Sequence, residues 1–320
     1  MNCKVSILIP VFNRDQFIGE CIQSALDQTY DDFEVIVFDN ASEDHTYEIC
    51  KKFAEQDCRV KVFQNETNIG PVGNWLACAE HASGEYSKIL FSDDLLEPDC
   101  IDKMLSVWDR QDIGFVFCAA IIGKLKEHGK LAYSLKGTAL IDAKKFFRLI
   151  LSGKASRSPG SIMLRTADLK NNLISDFPTS KQHDFAKNGA GPDLMIMLLT
   201  ATEYKYVKYF DEPLVFFRRH SDSFTFSDPT GAVRDNYEYM ICYYLHRYES
   251  WMNWIAYVSS RFVRVIFLER KLHSPQLFIK DREGEGSLYE VVILILFLPI
   301  VIFERLVRKS TTMFIHLIRR

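Results

Sequence analysis

The chain has 320 residues, 48% hydrophobic and 25% charged, which describes folded globular protein and excludes collagen-like, low-complexity and disordered classes. Its 39 basic and 42 acidic residues give a formal net charge of -3 and no overall attraction to nucleic acid. Eight cysteines form no Cys-x-x-Cys pair, so zinc ribbons and dithiol redox motifs are unsupported and the thiols read as reduced, buried groups of a cytosolic protein.

In chain order, the first 120 residues alternate short apolar runs with stretches of helical periodicity. The expected strands are Val5–Ile9, Phe33–Asp39, Val60–Gln64, Tyr86–Phe91 and Gly114–Cys118. The expected helices are Gln16–Asp27, Asp44–Ala54, Val72–Ala82 and Asp99–Asp109. Phe17, Ile18, Cys21, Ile22, Ala25 and Leu26 share one helical face. Near-continuous apolar strands belong to a parallel sheet buried on both sides, so this half reads as a doubly wound α/β fold. Val5–Ile9 is too short for the apolar core of a secretory signal.

Beyond residue 120 the pattern is less regular. Ile121–Ser134 reads as a hairpin, Ala143–Leu151 as a helix, Ser158–Arg165 as a strand and Ser175–Gly191 as a polar loop. Asp193–Thr202 reads as a helix and Pro213–Phe217 as a short strand; from about Val233 the chain reads as all-helical.

In a doubly wound sheet, ligands sit beyond the carboxyl ends of the strands. Four strand ends carry polar segments there: Pro10-Val11-Phe12-Asn13-Arg14, Asp39-Asn40-Ala41-Ser42, Asn68-Ile69-Gly70 and Ser92-Asp93-Asp94. Singly, each has an ordinary reading as a helix cap or turn. Together at one edge they point to a ligand.

These segments resemble the inverting glycosyltransferase family 2, which has the GT-A nucleotide-sugar-binding fold. The resemblance rests on Val5–Arg14, Val35–Ser42, Asn68–Gly70 and Leu90–Asp99, is strong over 1–110 and is traceable to about 225. It implies a mostly parallel GT-A sheet over 1–225, divided into a nucleotide-sugar half (1–118) and an acceptor half (119–225). A helical extension follows over 226–320.

The family likeness also implies roles. Asp39 would accept the uracil N3–H of a UDP-sugar. Pro10, Phe12 and Arg14 would line the base and phosphate pocket, and Asn68 and Gly70 would bring backbone close to the nucleotide. Asp93, with Asp94, would hold Mn²⁺ or Mg²⁺ against the diphosphate. The family often shows Asp-x-Asp-Asp here, and Phe91 stands at the leading position. Asp193, opening a helix after Pro192 where the family often has Glu-Asp, would be the general base. Arg218, Arg219 and His220 resemble the family's Arg-x-His segment and would contact the diphosphate.

At the other end, Val291–Phe303 is too short and too broken by Pro299 for a spanning helix. Arg305, Arg308, Lys309, Arg319 and Arg320 then stand against Glu304 among apolar residues, a pattern that suits an anionic membrane interface or a packed helical bundle. The expected activity is inverting transfer from a UDP-sugar to a hydroxyl of a glycan or lipid-linked glycan in bacterial surface polysaccharide synthesis. The expected place is the cytoplasm, or the cytoplasmic face of the inner membrane if residues 291–320 bind lipid. A catalytically degenerate nucleotide-sugar-binding scaffold is the alternative. A sugar nucleotidyltransferase is disfavoured, because Pro10–Arg14 lacks glycine.

Overall fold

The structure is a computed structural model that describes residues 4–175, 177, 185, 189–221, 223 and 231–248. The chain divides into two compact units, Met1–Phe177 with Asp184–Arg234, and Pro178–His183 with Asp235–Arg320. Of the expected loop Ser175–Gly191, residues 176, 178–184 and 186–188 lie outside the described residues, as does the basic-apolar tail over 291–320.

The first unit is built on one mixed sheet. Its first half runs β1 (Val5–Val11), α1 (Ile18–Leu26), β2 (Phe33–Asp39), α2 (Thr46–Gln56), β3 (Val60–Gln64), α3 (Gly70–His81) and β4 (Tyr86–Ile89). Every residue of β1 and β2 is buried, as the apolar runs require of strands covered on both faces. Ile18, Cys21, Ile22 and Ala25 bury the core-facing stripe of α1. Helix α3 begins at Gly70, two residues before the expected start, because Pro71 is tolerated in a first helical turn.

The chain continues through β5 (Leu95–Leu96), α4 (Cys100–Ser106), β6 (Ile113–Gly123), β7 (Lys130–Ala132), β8 (Ala139–Asp142) and α5 (Ala143–Leu151). Next come β9 (Ile162–Arg165), α6 (Thr166–Asn172), α7 (Pro192–Glu203) and β10 (Tyr206–Arg218). The sheet order is β3-β2-β1-β4-β9-β6-β10-β5, with β7 on β6 and β8 on β10. Pairings among β3, β2, β1 and β4 are parallel, as is β6 with β10; β9 enters antiparallel between β4 and β6. Burial periodicity carries no strand direction, so this reversal was not readable from the apolar pattern.

Other elements also differ from expectation in extent. Strand β6 runs to Gly123 and β10 starts at Tyr206, because each finds partners along its whole length. Pro213, which cannot donate to a ladder, sits where the β10 register shifts. The expected strand Ser158–Arg165 starts as a tight 3-10 turn at Pro159–Ser161, where the Ser158 hydroxyl accepts the Gly160 N–H. Among the described residues the cysteines are free, and buried except Cys58.

The second unit contributes residues 235–248 of helix α8 (Ala232–Tyr248) to the described part. No helix among the described residues is long and apolar enough to cross a membrane.

At the amino-terminal end of the sheet, Glu34 is buried and fully bonded. It accepts from Ser6 Oγ at 2.6 Å, Lys61 Nζ at 2.7 Å, and the Ser83 N–H and hydroxyl at 2.8 Å. Burial alone would raise its pKa, but the bonds from Lys61, Ser6 and Ser83 outweigh burial and hold it at about 2. The folded pKa lies below the unfolded one. The stabilisation is therefore present above pH 4.5 and lost as pH falls through 2. We expect about 2 kcal/mol from this source, discounted because the Lys61 side chain is 50% exposed. Chemical denaturation between pH 5 and 2 checks it: Glu34→Gln removes this part of the acid sensitivity, and an unchanged slope would refute the assignment.

Candidate active site

The loops after β1 and β2 are laced together at the carboxyl edge of the sheet. The Ser42 hydroxyl accepts the Asn13 N–H at 2.9 Å, and Asn13 Oδ1 accepts the Glu43 N–H at 2.9 Å. Thr46 Oγ1 accepts the Arg14 N–H at 2.7 Å. Asn13 and Ala41 have φ of 50° and 58°, left-handed backbone that non-glycine residues adopt at a cost and that clusters at functional loops. Pro10 is buried in β1 opposite Phe38, whereas Phe12 is 37% exposed at the loop.

Asp39 ends β2 with no exposed surface. Its Oδ2 accepts the Ser42 N–H at 3.0 Å and Gln64 Nε2 at 2.9 Å, and its Oδ1 accepts the Ser42 hydroxyl. A carboxylate offers about four acceptor positions, so these bonds leave capacity for one more donor. Because Asp39 has no exposed surface, a base edge reaches it only if a neighbouring group moves.

An asparagine network ties this strand end to the start of α3. Asn40 Nδ2 donates to Asn68 Oδ1 at 2.9 Å, and Asn40 Oδ1 accepts the Ile69 N–H at 3.0 Å. Asn68 Oδ1 also accepts the Gly70 N–H, where φ is 77°. Asn65 donates to both Asn40 and Asn74, and Asn74 donates to the Phe38 carbonyl at 2.8 Å. The sequence gives no role to Asn40 or Asn74, although both lie in or beside its polar segments, and it does not single out Asn65. Their type suits turns as well as networks, and pairing across 25 residues leaves no local signal.

The loop after β4 meets the end of β10. Asp94 Oδ1 accepts the Arg218 N–H at 2.9 Å, and the Asp93 carbonyl accepts Arg218 Nε at 3.0 Å. His220 Nε2 lies 2.7 Å from Asp93 Oδ2. Arg218 also pairs with Glu20 at 2.6 Å and lies over the Phe17 ring. Its guanidinium is thus committed to the loop, while Arg219 is exposed and holds the Gly123 carbonyl through its backbone. Asp94 is buried; desolvation, then the neighbouring Asp93 charge, push its pKa well above the ordinary carboxylate value. Its Oδ1 acts as a clamp on backbone. His220 Nε2 and Asp93 Oδ2 are bonded to each other, so they would offer an imidazole nitrogen and a carboxylate oxygen to a divalent ion only once that bond opens and Nε2 is free of its proton. Among the described residues no three His, Cys, Asp or Glu groups converge on one metal position.

Asp193 lies in the first turn of α7, behind Gly191 and Pro192. It is buried, and its Oδ1 accepts the N–H groups of Gly191 and Leu194, both at 2.7 Å. Its own N–H reaches the Gly189 carbonyl. Gly189, at φ +67°, is pressed on Trp75: a Cβ there would meet the indole at 2.5 Å. Trp75 packs on Phe91 at 5.6 Å between ring centroids, and Phe91 precedes Ser92-Asp93. The residue standing in place of the family's leading carboxylate is therefore a packing contact. The structure brings Asp93, Asp94, Arg218 and His220 into direct contact, joins Asn68 and Gly70 to the Asp39 strand end through Asn40, and links Asp193 to the Asp93 loop through Gly189, Trp75 and Phe91.

A sequence profile of glycosyl transferase family 2 matches residues 6–171. Glycosyltransferase GlyG of Streptococcus pneumoniae is 32% identical over 116 residues, covering 36% of this chain and 38% of the relative. Putative glycosyltransferase EpsH of Bacillus subtilis is 27% identical over 223 residues, covering 68% of this chain and 62% of the relative. The match thus spans less than two thirds of either relative. S. aureus TarS 1-349 in complex with UDP-GlcNAc shares the fold with a TM-score of 0.67 at 19% identity, over 94% of this chain and 87% of that one. Mannosyltransferase PcManGT from Pyrobaculum calidifontis, in complex with GDP-Man and Mn²⁺, gives 0.52 at 17% identity, over 99% and 86%. With the profile covering more than half its length and the GT-A architecture in place, the chain belongs to glycosyl transferase family 2.

Proposed function

We propose that this chain transfers a sugar from a UDP-sugar to an acceptor hydroxyl with inversion at the anomeric carbon. The observation that carries the reading is the 2.7 Å approach of His220 to Asp93, beside two laced loops and the Asp39 strand end. The nucleotide would lie along these loops, with uracil toward Asp39, and with Pro10, Phe12, Arg14, Asn68 and Gly70 around base and ribose. Arg219, exposed at the end of β10, would reach the diphosphate. Arg218 would hold the loop rather than the ligand.

A divalent ion held by Asp93 and His220, Mn²⁺ or Mg²⁺, would offset the negative charge on the departing diphosphate. Asp193 would take the proton from the acceptor hydroxyl. The hydroxyl oxygen then bonds to the anomeric carbon from the face opposite UDP. The bond from that carbon to the phosphate oxygen breaks, and its electron pair leaves with UDP. The Gly191 and Leu194 N–H groups fix one oxygen of Asp193. Glycan or lipid-linked glycan acceptors, surface polysaccharide assembly and a place at the cytoplasmic membrane face rest on the family likeness and on the basic-apolar tail over 291–320.

Two measurements follow. In a UDP-release screen over UDP-, GDP- and dTDP-sugars, Asp193→Asn lowers turnover about 100-fold or more while the UDP dissociation constant stays within about twofold. Turnover of GDP- or dTDP-sugars alone would contradict the role of Asp39, and UDP binding with no turnover across the panel would favour a scaffold. In a Mn²⁺ titration of the same reaction, His220→Ala needs about tenfold more metal for half-maximal rate. A rate unaffected by chelator would remove the metal from the account.

A further inference from the structure

Lys88 is a lysine with no exposed surface, placed mid-sheet in β4 opposite Met163 of β9. Its Nζ donates to the carbonyl of Ile89 at 3.1 Å and to the carbonyl of Gly160, 72 residues away. Burial pushes its pKa down, so an apolar residue of the same length would sit there at less cost. Gly160 belongs to the Ser158–Ser161 turn, which is wedged between the two segments that build the metal end of the site. A Cβ on Gly160 would meet Phe217 at 3.1 Å and Phe91 at 3.4 Å. Phe91 leads into Asp93 and Asp94; Phe217 leads into Arg218 and His220. The turn closes on itself through Ser158, whose carbonyl accepts the Ser161 N–H and hydroxyl. The Gly160 carbonyl is thus left for the lysine.

We propose that Lys88 is a positioning residue: by holding the Gly160 carbonyl from inside the sheet, it sets the Ser158–Ser161 turn in register with the Asp93–Asp94 loop and the Arg218–His220 strand end. It touches no substrate. It acts through the turn, which lies on the acceptor-side half and packs against α7, the helix that carries Asp193. The catalytic consequence rests on the transferase reading above, whereas the clamp itself does not.

The test is Lys88→Met, which keeps side-chain length and removes the donor, compared with wild type in two assays. Amide hydrogen exchange should speed about tenfold at Ser161 and at Asp94, whose N–H bonds the Phe91 carbonyl, with β2 amides unchanged. With the donor that wild type turns over, kcat should fall about tenfold, while donor KM and UDP affinity stay within about twofold. A purely structural role would instead lower folded fraction and UDP-binding stoichiometry together. Wild-type exchange at Ser161 and Asp94, or wild-type kcat, overturns the proposal. Should Lys88→Met not fold, Gly160→Ala decides: it leaves the lysine and displaces the turn, and an unchanged kcat there overturns the proposal equally. If wild type turns over no donor, that failure belongs to the transferase reading, and the exchange rates alone decide the clamp.

Discussion

The bond from the Arg218 backbone N–H to the buried carboxylate of Asp94 is the constraint on which the site depends. It joins residues 124 apart in sequence and fixes where β10 ends relative to the loop after β4. Arg218 Nε on the Asp93 carbonyl and His220 on the Asp93 carboxylate follow from that seating. A carboxylate with so little exposure is costly to bury. The Arg218 N–H and the nearby charges of Lys88 and Arg218 offset part of that cost, each favouring the ionised form. Asp94, Lys88 and Arg218 are therefore arranged around one strand junction, with part-buried Asp93 beside them.

Electrostatics at the two ends of the sheet differ in kind. At the amino-terminal end Glu34 is saturated by four donors and is a structural carboxylate. At the carboxyl end, polar groups are held by backbone and amide networks. Asn40, Asn65, Asn68 and Asn74 hold the loops without adding charge where a nucleotide diphosphate would bring its own. Left-handed Asn13 and Ala41 at the same edge show backbone accepting strain to keep these loops close.

Much of the first half was legible because its strands are continuous apolar runs and its helices have single buried faces. Phe33–Asp39 and Val60–Gln64 fall where the periodicity puts them. Asp93 and His220 were singled out by motif, but their contact was not, since nothing local encodes a meeting of residues 127 apart. The antiparallel entry of β9 was hidden because burial gives no direction. The 3-10 turn before it was hidden because Ser158-Pro159-Gly160-Ser161 satisfies both strand-end and turn chemistry. Lys88 inside an apolar strand was the least readable feature: a lysine there signals an edge or a surface unless its partner, the Gly160 carbonyl, is known.

The central claim is that Asp39, Asp93 and Asp193 surround one crevice, two on the nucleotide and one on the incoming hydroxyl. A crystal structure with UDP and Mn²⁺ tests it most directly. The account predicts uracil within hydrogen-bond distance of Asp39, metal bound by Asp93 at about 2.2 Å, and Asp193 facing the space beyond the β-phosphate. Nucleotide bound away from the β1 and β2 loops, or Asp193 closed off from that space by protein, would contradict it.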